Sequence, residues 1–238
     1  MIYVITGKPR NGKTFFVIRH IPRWIKNGER IFSNVKINVG QGALKKYTED
    51  IVGNLHNPED LNNPKKQIFY WHNLHEWNHM TNGIILVDEA QRYFNSRNWA
   101  QLSEETELKL QQHGKDDLDV WATTQHFTRI DVTLRILVEL YFKVKMVMGN
   151  PDNYKSWIPK ICVAEGYLLE DLEKHDRMST KEKEENNIDP ETSERFWIRK
   201  KYYNTYDTRE KVGYSTPMPL IHKKRKCETC GYEQITHQ

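Results

Sequence analysis

The chain has 238 residues, 37% of them hydrophobic and 29% charged, and its 36 Lys and Arg against 32 Asp and Glu leave a net charge of +4. That length holds one full α/β domain with additions, while a mean hydropathy of −0.81 puts a sizeable share of the chain at the surface or in extensions. Three cysteines, Cys162, Cys227 and Cys230, argue against a disulfide framework, and no run approaches the ~18 apolar residues of a membrane-spanning helix.

The chain opens on an apolar run, Met1-Ile2-Tyr3-Val4-Ile5, followed by Gly7-Lys8-Pro9-Arg10-Asn11-Gly12-Lys13-Thr14 and then Phe15-Phe16-Val17-Ile18. The middle segment reads G-x-x-x-x-G-K-T, and its strand–loop–helix setting makes it a phosphate-binding P-loop. Gly7 and Gly12 permit backbone angles and a close approach that a β-carbon blocks. The turn between them, Lys8 to Asn11, points backbone N–H groups inward as an anion nest. Lys13 is expected to reach the β- and γ-phosphates of ATP as a point charge, and the Thr14 hydroxyl to ligate Mg²⁺. Strand and turn occupy the positions of a secretory leader, so a reducing, cytoplasmic setting is expected.

The first helix is expected from Lys13 to about Asn27, with Gly28 as its stop, and Arg30 to Val35 as the second strand. Residues 40–66 read as a loop-rich connection. A strand pattern resumes at Gln67–Trp71, and His72–Met80 suits a short helix with Leu74 and Trp77 on one face. Gly83-Ile84-Ile85-Leu86-Val87 then runs unbroken into Asp88-Glu89-Ala90-Gln91. Such a run fits a strand buried on both faces of a parallel sheet, with Asp88 at the carboxyl end where open α/β sheets bind ligands. Asp88 there holds the magnesium shell, the Walker B role, and Glu89 is the natural base for an attacking water.

Residues 101–113 have helical composition. Leu118 to Gln125 reads as a further strand whose terminal Gln125 either senses the γ-phosphate or merely caps the strand. Ile130–Leu137 suits a short helix, and Leu140–Val147 alternates as a partly exposed strand.

After residue 150 the character changes. Residues 170–195 are dense in both charge signs and read as a solvated helix or linker. Phe196–Tyr203 interleaves aromatic and basic residues, which suits stacking on bases or an amphipathic element packed on the core. The tail carries His222-Lys223-Lys224-Arg225-Lys226 and then Cys227-Glu228-Thr229-Cys230. One C-x-x-C is half a zinc ribbon, which His222 and His237, or a second subunit, could complete; otherwise these are two free thiols. The expected organisation is a core over residues 1–150, a charged and aromatic extension over 151–220 closing onto it, and a basic tail over 221–238.

With those motifs in place, the chain resembles the Zot-like branch of the HerA/FtsK-type P-loop ATPases, which includes the gene I assembly proteins of filamentous phages. The resemblance covers roughly residues 1–148, with a further match at Tyr203–Thr208. It is carried by Ile5-Thr6-Gly7 with the P-loop, Val87-Asp88-Glu89-Ala90-Gln91, Ala122-Thr123-Thr124-Gln125 and Ile130–Arg135. It implies a P-loop NTPase fold with a mostly parallel sheet flanked by helices, RecA/FtsK-like, plus the C-terminal extension. It further implies an ATP- and Mg²⁺-dependent ring, a hexamer, that translocates DNA and packages a viral genome or assembles virions with capsid or virion proteins. The setting it implies is the host-cell cytoplasm or the virion. Gln125 matches the family's polar sensor. Two features depart from the family: no membrane-spanning helix follows the ATPase domain, and Gln111-Gln112-His113-Gly114-Lys115 replaces a basic His/Arg cluster. Arg129 and Arg135 remain as candidates for an arginine acting in trans, Arg135 also suiting a surface salt bridge. A small-molecule kinase shares the P-loop but has no use for Glu89 beside Asp88; a nucleotide-switched assembly adaptor is the third reading.

Overall fold

A computed structural model describes residues 1–95, 104–149, 160–170, 189–199, 202 and 205, and the backbone of two short paired strands at 224–226 and 233–235. Strand β1 (Ile2–Thr6) leads through the glycine-rich turn into α1 (Lys13–Ile18), α2 (Ile21–Lys26) and β2 (Arg30–Ser33). The single helix expected to about Asn27 is therefore two. Pro22 has no N–H for the Ile18 carbonyl and its ring crowds that oxygen. The chain turns at Arg19-His20, where the His20 N–H reaches back three residues to Val17 instead of four. Gly28, at φ 83°, is the stop the sequence indicates. Its N–H bonds to the Ile25 carbonyl and that of Glu29 to the Trp24 carbonyl, the paired closure of a Schellman end.

Within the loop-rich segment lie two 3₁₀ turns, a two-residue strand β3 (Val52–Gly53) and α3 (Pro58–Asn62), the latter capped by the Asn57 side chain on the Glu59 N–H. Next come β4 (Ile68–Tyr70), a 3₁₀ turn at Leu74–His79, β5 (Gly83–Val87), α4 (Glu104–Gln111), β6 (Leu118–Thr124), α5 (Val132–Arg135), β7 (Leu140–Met148), β8 (Ile161–Leu168) and β9 (Thr192–Trp197).

Among the described residues these nine strands form one sheet in the order β3-β4-β2-β5-β6-β1-β7-β8-β9. The strands from β3 to β7 run parallel, and β8 and β9 add antiparallel at one edge. Every residue of β5 is buried. Ile84 and Leu86 pack on the face covered by α1 and α2, Ile85 and Val87 on the opposite face with Trp71, Trp77 and Leu110. Burial on both faces is why the strand reads as a continuous apolar run.

The antiparallel edge folds over the first helix. Phe196 is buried, 5.4 Å from the Phe16 ring and stacked on Phe15 at 6.0 Å, and the Arg19 guanidinium lies over both Phe16 and Phe196 while pairing with Glu194. Its neighbour Trp197 points outward. Of the segment read as solvated linker, Thr192–Arg195 is instead an edge strand, whose exposed polar side chains suit an edge facing water. Residues 171–188 and Tyr203 lie outside the described residues. In the tail, β10 (Lys224–Lys226) pairs antiparallel with β11 (Glu233–Ile235).

Candidate nucleotide site

All parallel strands present their carboxyl ends along one edge of the sheet, and the glycine-rich turn, Asp88, Glu89 and Gln125 lie along it. β6 lies between β1 and β5, with Thr6 opposite Thr124 and Val87 opposite Ala122. The glycine-rich turn, the acidic pair and the end of β6 are therefore neighbours on consecutive strands.

The turn has left-handed angles at Gly12 (φ 91°) and Arg10 (φ 63°), and φ 149° at Gly7. A β-carbon on Gly7 would lie 2.3 Å from the Val144 carbonyl oxygen of β7, so that position admits only glycine. Lys13 is 7% exposed. Its Nζ donates to the Gly7 carbonyl at 2.9 Å and the Lys8 carbonyl at 3.1 Å. Burial pulls its pKa below the ordinary lysine value, while Glu89 and Asp88 act in the opposite direction. Cys162 of β8 closes the turn from beneath, its Sγ donating to the Asn11 carbonyl at 3.4 Å, and burial pushes that thiol up to about 11. It is a packing thiol rather than a reactive one.

Thr14 Oγ1 donates to Asp88 Oδ1 at 3.0 Å, and Thr123 Oγ1 donates to the same oxygen at 2.5 Å. Two hydroxyls and a carboxylate converge, a hard-oxygen donor set that fits Mg²⁺; Thr14 and Asp88 are the residues that would hold it. The next residue, Glu89, adopts φ 55°, ψ 51°, a left-handed conformation that costs about 1–2 kcal/mol outside glycine. It is secured on both sides: its N–H donates to Thr123 Oγ1 at 3.2 Å, and the Gln91 amide donates to its carboxylate. Buried Ala90 and Phe94 anchor the following turn.

Gln125 is half-buried one residue past β6, level with Gly7 by the register of Thr6 with Thr124. Arg135 ends α5; its Nε is buried without a hydrogen-bond partner among the described residues, and it joins none of the hydrogen bonds around Asp88. Arg129 is exposed. Cys227 and Cys230 lie outside the described residues, and among those described no group of three or more His, Cys, Asp or Glu could hold a metal. Thr123 and Asn34, both of which hydrogen-bond to Asp88, have no role assigned from the sequence. The amide of Asn34 brackets the Asp88 peptide, and no motif spacing signals it, because the contact is made across two strands.

The family model for zonular occludens toxin (Zot) matches residues 1–164, more than half of the chain and all of the site. The chain belongs to the Zot family. No curated protein matches it. Among solved structures, this Zot-family chain is similar to the N-terminal domain of zonular occludens toxin from Neisseria meningitidis, at 20% identity and a TM-score of 0.49 over 87% of this chain and 98% of that one. It is also similar to the genome packaging NTPase B204 from Sulfolobus turreted icosahedral virus 2, in complex with ATP-gammaS, at 12% identity and a TM-score of 0.49 over 71% and 93%. A third is the flagellar accessory protein FlaH from Methanocaldococcus jannaschii, at 9% identity and a TM-score of 0.45 over 69% and 76%. The Zot-family chain has a P-loop NTPase fold, and no helix among its described residues is long and apolar enough to cross a membrane.

Proposed function

We propose that this Zot-family chain is an ATP-hydrolysing motor that translocates or packages viral DNA during virion assembly, acting as a self-associated ring, a hexamer, in the host cytoplasm. The observation that carries the hydrolytic part is the shared carboxylate oxygen of Asp88, which accepts from both Thr14 and Thr123, with Glu89 fixed beside it. A bound Mg²⁺ supplies charge neutralisation at the β- and γ-phosphates. Lys13 and the turn's backbone N–H groups bind the phosphates, Thr14 and Asp88 hold the cation, and Glu89 orients and deprotonates the attacking water. Gln125 senses the γ-phosphate, and Arg135 or Arg129 reaches a neighbouring subunit's site. The basic block at 222–226 gives the DNA-binding reading electrostatic support, and genome packaging is the work for which B204 is named. Cys227 and Cys230 would bind Zn²⁺ as half a ribbon in the tail. Capsid or virion proteins are the further partners.

The test is steady-state ATP hydrolysis alone and with single- or double-stranded DNA, with Lys13→Ala as the blank. Stimulation by one form of DNA supports the motor and names its track. Hydrolysis indifferent to nucleic acid favours a nucleotide-driven assembly factor, and full activity in Lys13→Ala overturns the site. Phosphoryl transfer to an added small acceptor, with no hydrolysis in its absence, would favour the kinase reading.

A further inference from the structure

β2 ends at Ser33, opposite Leu86 of β5. One residue later the two backbones part, and the ladder has only a long bond left, from the Asn34 N–H to the Leu86 carbonyl at 3.4 Å. The side chain of Asn34 continues where the ladder stops. Its Nδ2 donates to the Asp88 carbonyl at 2.9 Å, and its Oδ1 accepts from the Asp88 N–H at 2.9 Å. A carboxamide donates and accepts at once from one planar group; a carboxylate offers only acceptors and an alkyl side chain neither.

The carbonyl of Asp88 and the N–H of Glu89 belong to the same peptide plane. Asn34 holds the carbonyl end and Thr123 Oγ1 the N–H end. That plane joins the residue placed to hold the cation to the residue placed to orient water, and it leads into the left-handed conformation of Glu89. With the plane clamped at both ends, the directions of the two carboxylates are tied together.

The base from which Asn34 reaches is rigid as well. Ser33 Oγ donates to the Val35 carbonyl at 2.8 Å and accepts from the Val35 N–H at 3.2 Å. The Tyr70 hydroxyl donates to the Ile37 carbonyl at 3.0 Å and accepts from the Ile37 N–H at 3.2 Å. The Asn38 N–H donates to the carbonyl of buried Thr205 at 2.9 Å. A segment outside the named strands is thus pinned at three points in succession, with Val35, Ile37 and Val39 buried in the core.

We infer that Asn34 is a positioning residue for the acidic pair, setting the Asp88–Glu89 peptide plane so that cation binding and water activation act together. This rests on the hydrolytic reading of the site. Among the described residues, no hydrogen bond of Asn34 reaches Lys13 or the glycine-rich turn, so phosphate binding without Mg²⁺ is expected to be independent of it.

The test uses the full chain with Asn34→Ala, and with Asn34→Ser as the milder variant, which replaces the carboxamide by one hydroxyl able to donate and accept. Three quantities are measured: amide hydrogen exchange at Asp88 without nucleotide, ATP binding with and without Mg²⁺, and turnover. In Asn34→Ala the Asp88 amide is expected to exchange at least about fivefold faster. The gain in ATP affinity on adding Mg²⁺ shrinks, and kcat falls ~10–100-fold, while Mg²⁺-free ATP binding stays within about threefold of wild type; Asn34→Ser lies between. Wild-type turnover in folded Asn34→Ala, or equal losses in Mg²⁺-free binding and turnover, overturns the inference. A wild-type chain that binds ATP without hydrolysing it overturns the hydrolytic reading instead. Asn34 is then judged on the Mg²⁺ gain, and an unchanged gain in Asn34→Ala sinks it.

Discussion

Thr123→Val tests how tightly the acidic pair is held. Thr123 is 3% exposed, and valine has nearly its shape, so the change removes one hydroxyl and leaves the packing. That hydroxyl has two partners: it donates to Asp88 Oδ1 at 2.5 Å and accepts from the Glu89 N–H at 3.2 Å. A hydrogen bond to a charged group contributes about 1.5–3 kcal/mol, and a buried donor left unpaired costs about 1–3 kcal/mol. The two losses share one atom and do not simply add, so the expected destabilisation is about 3 kcal/mol. Against a domain stability of roughly 5–15 kcal/mol the variant still folds. Urea unfolding at pH 7 measures this directly, with an unchanged m-value showing that only stability moved. Thr123→Ser keeps the hydroxyl and is expected within about 1 kcal/mol of wild type. If Thr123→Val is as stable as Thr123→Ser, the hydroxyl does not hold the pair and the network around Asp88 is not the organising feature of the site.

Two further outcomes follow from neighbouring contacts. Glu89→Gln keeps the side chain's length but removes its basicity, so ATP binding should persist while turnover falls at least ~100-fold; unchanged turnover would remove Glu89 from water activation. His20 packs among Phe16, Trp24 and Trp121 beside Arg19. Burial, with Arg19 adding to it, pushes the imidazole down to about 4 from 6.5. Between those values the unfolded chain binds the proton and the native chain does not, so stability rises with pH across the window and is lost as pH falls through it. Between pH 7 and pH 5 the loss from this one group is about 2 kcal/mol. His20→Phe, which keeps a ring and cannot titrate, should lose that much less over the same interval in urea titrations. Equal losses in the two proteins would show that His20 is not buried as a neutral ring.

What the sequence discloses here depends on how local the physics is. The glycine-rich turn and β5 are legible because their constraints sit within a few consecutive residues: glycines where a carbonyl of β7 leaves no room for a β-carbon, and an apolar run because both faces are covered. The break at Arg19-His20 is also local, and Pro22 signals it; reading through that proline made one helix of two. The position of β6 between β1 and β5 is different in kind, since strand order is decided by packing of whole elements and leaves no mark on any one strand. The same holds for β8, whose Ile161–Leu168 pairs across from β7 and supplies Cys162 beneath the turn. Asn34 is least legible of all. An asparagine after a strand commonly marks a turn, and only the parallel pairing of β2 with β5 makes it a partner of Asp88.

Lys13 sets function against stability within one side chain. The residue is 7% exposed and, apart from the nearby carboxylates, the partners of its ammonium are the carbonyls of Gly7 and Lys8. The lowered pKa, with burial as its largest cause, means that the charged form is less favoured in the native chain than in the unfolded one. The charge therefore costs folding free energy at pH 7, and the cost eases only as pH rises through the depressed pKa. Lys13→Met keeps the unbranched length and removes the charge. The two carbonyls it releases lie on the turn, where Gly7 is half-buried and Lys8 exposed, so water can replace the lost donors. Removing the charge removes the burial cost that the lowered pKa records, so Lys13→Met is expected to be at least as stable as wild type. The same variant should bind ATP at least ~100-fold more weakly, because the charge that meets the phosphates is gone. Urea unfolding and nucleotide titration on one preparation check both halves. A destabilisation beyond about 1 kcal/mol would mean that Asp88 and Glu89 outweigh burial and that the lysine is held for the fold. A gain in stability with loss of binding would mean that the fold bears a cationic side chain it does not need, at the one place where a polyphosphate would use it.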